Sequence, residues 1–199
     1  MKKIQIVIIV VAVLLVSLFF GSYESRKSIF TEKLDDMTLT RYETGEAAAQ
    51  QISNMLALKY IPLGKAYSAV YHSDKGTMRM WVAEPSDHNV ANAAFTTMNS
   101  LLGGPSGGHS GHENSGEVQS YDINGNGVAG SIDETYSKPE IVDVWEFEIP
   151  SVYVMKGNNS INYYYFKMNY NTGRVYWIIF DSPDIDYQIS IVKQAVMKI

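Results

Sequence analysis

The feature that most constrains this chain is a long apolar run near its beginning. Lys2 and Lys3 precede the run, which extends over residues 4–20. A helix rises about 1.5 Å per residue, so a helix over this run would be roughly 25 Å long and could cross the hydrocarbon core of a bilayer. The sequence therefore predicts a membrane-spanning helix within residues 1–22.

The apolar run can be an uncleaved anchor or a cleaved export signal. Signal peptidase requires small residues one and three positions before the cut. A cut after Gly21 would place Phe19 three positions back, and a cut after Ser22 would place Phe20 there. We therefore expect an anchor, with cleavage as the alternative. The lysines before the run favour a cytoplasmic N terminus, which makes the protein a single-pass protein of the cell membrane with an extracytoplasmic C-terminal part.

The composition of the remaining chain is that of a folded domain, at 46% hydrophobic and 19% charged residues overall. The chain has no cysteine, which excludes disulfides, thiolate catalysis and thiolate metal ligands. Its net charge of −5 argues against nucleic acid as a partner. We expect an anchor over residues 1–22, a stalk over 23–40 and an extracytoplasmic domain over 41–199.

The predicted stalk carries four apolar side chains at helical spacing. They are Ile29, Phe30, Leu34 and Met37. This spacing places them in one narrow stripe along a helix. The stripe favours a helix that packs on its own domain, although it could also pair with the stalk of another protein.

Two segments of the domain have the same predicted order of strand, turn, strand and helix. The predicted strands cover residues 65–72 and 77–84 in the first segment, and 161–168 and 174–180 in the second. Trp81 and Trp177 occupy nearly the same position in each segment, four or five residues after a turn glycine. The match suggests a duplicated unit in which the two tryptophans are equivalent core residues.

A helix is predicted to begin near Thr44, before the first unit. Four short strand-like segments lie between the two units. They cover residues 117–122, 128–133, 142–148 and 151–156. The predicted fold class is therefore α+β, with an antiparallel sheet and helices on one face. Such a fold hosts many unrelated functions and does not by itself indicate one.

A short motif in the middle of the chain invites a metal-binding interpretation. Oxygen-bearing side chains stand at Asp122, Asn124, Asn126 and Asp133, with Gly127 at the sixth position after Asp122 is counted as the first. This spacing resembles the calcium loop of the EF-hand and dockerin families, which implies calcium as a ligand. The alternative is a β-hairpin turn, since asparagine and glycine adopt positive φ at little cost.

A glycine- and serine-rich stretch over residues 103–116 contains a second set of candidate ligands. His109 and His112 are three residues apart, and Glu113 follows them. Two imidazoles and a carboxylate suit copper, nickel or zinc. The alternative is a flexible loop between the two units, because ordering so many glycines costs conformational entropy.

Aromatic residues are dense near the C terminus, above all at Tyr163, Tyr164, Tyr165 and Phe166. On a strand these side chains alternate between the two faces. One pair could form a surface patch for a protein or small ligand, since tyrosine supplies contact area and a hydroxyl at low entropy cost. The alternative is a face covered by a helix.

Three hypotheses for function follow from these observations. The first is a non-enzymatic anchored domain that binds a ligand or protein, or an accessory subunit of a surface complex. The second is a metal-binding exported protein that takes calcium or copper. The third is a hydrolase, which would need His72 or His88 beside a carboxylate such as Glu84, Asp87 or Asp181.

Overall fold

The computed structural model describes residues 28–55, 58, 61–104, 136–142, 150–157 and 160–199. These residues form a mostly antiparallel sheet with helices, which confirms the predicted α+β class. The strands are β1 (Lys33–Leu34), β2 (Met37–Thr44), β3 (Lys65–Ser73), β4 (Gly76–Glu84), β5 (Glu140–Val142), β6 (Val152–Lys156), β7 (Ile161–Asn169) and β8 (Thr172–Phe180). The helices are α1 (Glu46–Ser53), α2 (His88–Leu101) and α3 (Ile185–Lys198).

All eight strands belong to one sheet in the order β1-β2-β3-β4-β8-β7-β6-β5. The two long hairpins, β3-β4 and β7-β8, form the centre, and β4 pairs with β8. Gly76 enters β4 at a φ of 144°, a conformation that glycine adopts without steric cost. The four central strands agree with the predicted ones to within two residues at each end.

Helices cover both faces of the sheet, so the prediction of helices on one face is wrong. Helix α3 packs on one face, which we call the α3 face, and α1 and α2 pack on the other, which we call the α1/α2 face. Strand β7 gives the physical reason, because both of its alternating sets of side chains are apolar. Leaving either set in water would forgo about 1.5–3 kcal/mol per large side chain.

The proposed duplication describes the two hairpins but not the helices that follow them. Trp81 and Trp177 are direct register partners across β4 and β8, and both lie on the α1/α2 face. If a twofold rotation about this pair related the two hairpins, the helices that follow them would lie on the same face of the sheet. Instead α2 and α3 lie on opposite faces, so the helices do not fit a duplicated strand-strand-helix unit.

The stripe predicted to be a helical stalk belongs to the sheet domain from residue 28 onward. Leu34 lies in β1 and Met37 begins β2, and both are fully buried with Phe30 in the core beneath α3. The helical interpretation is therefore wrong for this stripe. Four apolar residues at that spacing can also be buried by two short strands and the turn between them, and the core beneath α3 decides in favour of the strands.

Aspartate side chains cap α2 and α3 but not α1. Asp87 caps α2 by accepting a hydrogen bond from the backbone N–H of Asn89 at 2.7 Å, and Asp184 caps α3 through the N–H of Tyr187 at 3.0 Å. Helix α1 follows Gly45, which has a φ of 71° and no side-chain cap.

None of the helices that the structure describes is long and apolar enough to cross a membrane. The apolar run over residues 4–20 lies outside the described residues, so the anchor stays a prediction.

Candidate ligand groove

The aromatic cluster at the C-terminal hairpin is buried and offers no surface patch. Tyr163 and Tyr165 lie beneath α3, while Tyr164 and Phe166 lie beneath α2, and all four are at most 7% exposed. The interpretation of these residues as a partner-binding surface therefore has to be corrected. A helix covers each face of β7, because the side chains on both faces are large and apolar.

These aromatic side chains form a ladder inside the core instead. The rings of Tyr153 and Tyr164 stack with centroids 5.1 Å apart, and Tyr164 stacks on Trp177 at 5.1 Å. The hydroxyl of Tyr164 donates to Oδ1 of Asn99 on α2 at 2.7 Å, and the indole N–H of Trp177 donates to Oδ1 of Asn162 at 3.2 Å. The ladder thus fixes α2 on the sheet through satisfied polar contacts.

Both predicted metal-ligand sets lie outside the described residues. This holds for Asp122, Asn124, Asn126 and Asp133, and equally for His109, His112 and Glu113. Calcium and copper binding by these residues stay predictions. Within the described ranges, no group of three or more histidine, aspartate or glutamate side chains is arranged to hold a metal ion.

The carboxylates considered for a hydrolase are engaged by groups other than histidine. Asp87 caps α2, and Oδ1 of Asp181 accepts from the backbone N–H of Thr77 at 2.5 Å. Glu84 is buried and accepts from Lys65 Nζ at 3.0 Å and from Arg174 Nε at 2.7 Å. In the part of the chain that the structure describes, no hydrogen bond joins a histidine to a carboxylate.

The ion pairs of the buried Glu84 lower its pKa. Burial by itself would raise the pKa of Glu84, but the hydrogen bonds and charges of Lys65 and Arg174 outweigh it and lower the pKa below its ordinary value. Glu84 is therefore ionised at neutral pH and serves as a structural anion that ties β3, β4 and β8 together.

A concave groove lies over β2, β3 and β4, where the described helices leave part of the α1/α2 face uncovered. It has a volume of about 410 Å³. Its lining includes Arg41, Glu43, Gln51, Ser68, Arg79 and Trp81. Helix α1 forms one wall through Gln51, and the floor is the sheet itself. Its lining combines charged side chains with a tryptophan, so this groove is the candidate functional site.

A bulge in β2 places the charged side chains of the groove. The register with β3 shifts between Leu39 and Arg41, and the hydroxyl of Thr40 donates to the backbone carbonyl of Val70 at 3.0 Å. Leu39 packs into the core beneath α3. The extra residue reverses the alternation, so Arg41 and Glu43 lie on the opposite face from Leu39. Without the bulge their charges would lie against the apolar core.

A chain of hydrogen bonds organises one side of the groove. The indole N–H of Trp81 donates to Oε1 of Gln51 at 3.0 Å, and the amide of Gln51 donates to Glu43. Glu43 also pairs with Arg41. These contacts fix the carboxylate between an amide and a guanidinium, which neutralises its charge and holds the wall of the groove in one arrangement.

Arg79 differs from Arg41 in having no such partner. It is exposed and lines the groove, and its side chain makes no ion pair or hydrogen bond with another described residue. The described lining of the groove therefore contains two guanidinium groups and one carboxylate, and within it the positive charge of Arg79 has no counter-ion. This position can attract a negatively charged group.

Sequence reasoning missed this groove, although part of its signal was visible. Arg79 alternates with Met78 and Met80 along β4, and both methionines are buried beneath α3. That alternation indicates that Arg79 and Trp81 share the opposite face. Glu43 and Gln51 come from β2 and α1, and only the tertiary structure brings them to the same place.

No protein-family model matches the chain, and no curated protein or solved structure is significantly similar to it. A function for the groove therefore has to be inferred from its own residues.

Proposed function

We propose that this protein is a membrane-anchored, extracytoplasmic, non-enzymatic binding domain that takes a small ligand in the groove over β2, β3 and β4. The observation that carries the proposal is the groove itself, a volume of about 410 Å³ on the α1/α2 face of the sheet. Its polar wall is held in place by the contacts among Trp81, Gln51, Glu43 and Arg41. Preformed concave sites with a few fixed polar groups are typical of ligand binding.

Two further observations favour binding over catalysis. The carboxylates Glu84, Asp87 and Asp181 are engaged in an ion pair, a helix cap and a turn contact. None of them lines the groove. A general acid or base would have to reach a bound substrate. Among the described lining residues, the only carboxylate is Glu43, which Arg41 and Gln51 already hold.

The predicted anchor is the basis for the proposed location of the domain at the membrane. The apolar run over residues 4–20 would hold the domain at the membrane, and the lysines before it would keep the N terminus in the cytoplasm. The groove would then face the extracytoplasmic space, where it could collect a ligand for a partner in the same membrane.

Thermal unfolding of the full chain in detergent micelles tests the proposal. The midpoint temperature is measured with a panel of neutral and charged sugars, amino acids and small organic acids. We expect at least one compound to raise the midpoint, since a ligand that binds only the folded state stabilises it.

The matched variant is Val70→Phe, because Val70 lies in the groove floor between Arg41 and Arg79 and a larger side chain there fills the groove. The variant should fold and lose the ligand-induced shift. If no compound raises the midpoint, or if the shift survives Val70→Phe, the groove is not a ligand site.

A further inference from the structure

Among the described residues, the groove contains one cation without a counter-ion, the guanidinium of Arg79. Glu43 pairs with Arg41 and accepts a hydrogen bond from Gln51, so Arg41 and not Arg79 compensates its negative charge. Arg79 has no counter-ion in the described part of the chain, although the protein as a whole carries a net charge of −5. An exposed guanidinium inside a concave site can attract an anion locally.

We propose that the groove selects small ring compounds that carry a carboxylate, with the carboxylate paired to Arg79 and the ring placed against Trp81. This inference rests on the proposed function, namely that the groove binds a small ligand. A guanidinium presents a planar fork of N–H donors, and a carboxylate matches that fork with two parallel hydrogen bonds.

The ion pair of Glu43 with Arg41 explains why Arg79, and not Arg41, receives the carboxylate. Arg41 and Arg79 flank Val70 in one row across β2, β3 and β4. Neighbouring strands are about 4.8 Å apart, so the two arginines arise roughly 10 Å from each other. Glu43 already pairs with the guanidinium of Arg41, so the carboxylate of the ligand pairs with Arg79.

Trp81 decides what lies beside the carboxylate. It is two residues from Arg79 on the same strand, so both side chains point to the same face about 6.6 Å apart. The indole N–H of Trp81 is already donated to Gln51. Trp81 therefore offers apolar ring surface to the groove, which suits an aromatic ring or the apolar face of a sugar ring.

Two matched pairs of probes test the inference on the full chain in detergent micelles. Benzoate is compared with benzamide, and glucuronate is compared with glucose, because each pair shares a ring and differs in its charge. We expect at least one acid to bind about tenfold more tightly than its neutral counterpart, as measured by isothermal titration calorimetry. Binding of benzoate would indicate an aromatic ligand, and binding of glucuronate would indicate a sugar ligand.

Two variants isolate the role of Arg79. Arg79→Gln should weaken binding of the acid about tenfold and leave a neutral counterpart unchanged. Lys138→Gln removes the same charge from an exposed residue outside the groove lining and should change nothing. Equal affinity for an acid and its neutral counterpart, or unchanged acid binding in Arg79→Gln, would overturn the inference.

The Val70→Phe variant separates failure of this inference from failure of the proposed function. If neutral compounds bind and Val70→Phe abolishes their binding, the groove is a ligand site and only the preference for carboxylates is wrong. If no probe of either pair and no compound of the wider panel binds, both proposals fail together.

Discussion

Trp81 and Trp177 are direct register partners at the centre of the sheet, but their surroundings differ. Trp177 lies beneath α2, stacks on Tyr164 and donates its indole N–H to the buried Asn162. Trp81 is half-buried, donates to Gln51 and lines the groove. One tryptophan completes the core, while its partner borders the candidate site.

This difference predicts unequal costs for the same substitution. Trp177→Phe should lower the free energy of unfolding by about 2–3 kcal/mol, because it leaves a gap in the core and removes the donor to Asn162. Trp81→Phe should cost less than about 1.5 kcal/mol, since water can reach the site. Urea unfolding followed by circular dichroism measures both. Equal costs would contradict the assignment of Trp177 to the core.

Tyr164 and Tyr165 are adjacent and fully buried, and they predict opposite effects for removal of a hydroxyl. Tyr164→Phe should destabilise the protein by about 1–2 kcal/mol, because its hydroxyl donates to Asn99 at 2.7 Å. The hydroxyl of Tyr165 has no hydrogen-bond partner among the described residues. Tyr165→Phe should therefore be neutral or slightly stabilising, as it removes an unsatisfied buried polar group. Urea unfolding of the two variants checks the sign of each effect.

Glu84 predicts a dependence of stability on pH. At pH 7, Glu84→Gln should cost about 2 kcal/mol, because it leaves the mostly buried Arg174 without its anion. The exposed Glu140→Gln serves as a control and should cost little.

The lowered pKa of Glu84 gives the direction of this dependence. In the window between its lowered folded pKa and the ordinary value of 4.5, the unfolded chain binds more protons, so stability rises with pH there. The contribution is complete above about pH 4.5 and is lost as the pH falls through the folded pKa. The difference between wild type and Glu84→Gln should shrink over that range in acid unfolding curves. A difference that stays constant down to low pH would refute the role of the ion pair.

Tyr187 joins the start of α3 to two turns of the sheet. Its hydroxyl donates to Oδ1 of Asp36 at 2.7 Å and lies 2.7 Å from Oγ of Ser73. Tyr187→Phe should lower the free energy of unfolding by about 1 kcal/mol, whereas the same change at the exposed Tyr42 should have little effect. Urea unfolding at pH 7 compares the two variants.

The same tyrosine predicts a loss of stability in alkali. Burial, with a contribution from Asp36, raises the pKa of Tyr187 to about 12. Since the folded pKa is above the ordinary value of 10.0, the contribution is present below pH 10 and is lost as the pH rises toward 12. Tyr187→Phe should remove this part of the alkaline transition, and an unchanged transition would contradict the assignment.

The central hairpins and their helices could be predicted from sequence because their signals are local. Alternating apolar residues, turn glycines and a helical period are properties of a few neighbouring residues. The segment from Ile29 to Met37 could not be assigned in this way, because its apolar spacing suits a helix as well as two short strands. The core beneath α3, made from distant residues, favours the strands.

The coverage of the two sheet faces was also beyond what the sequence could predict. The sequence indicated that Tyr163 and Tyr165 oppose Tyr164 and Phe166, and the structure agrees. It did not indicate that a helix would cover each face, since the destination of α2 and α3 depends on packing against strands far away in the chain.

The sequence by itself determined the elements of this protein: the positions of the central strands, the helices after them and the alternation that places Arg79 beside Trp81. The tertiary structure decided which faces are covered, which tryptophan is buried and where the groove lies. The bulge at Thr40 shows the reason. One extra residue reverses the alternation of β2, and only its pairing with β3 reveals that Arg41 and Glu43 face the groove instead of the core.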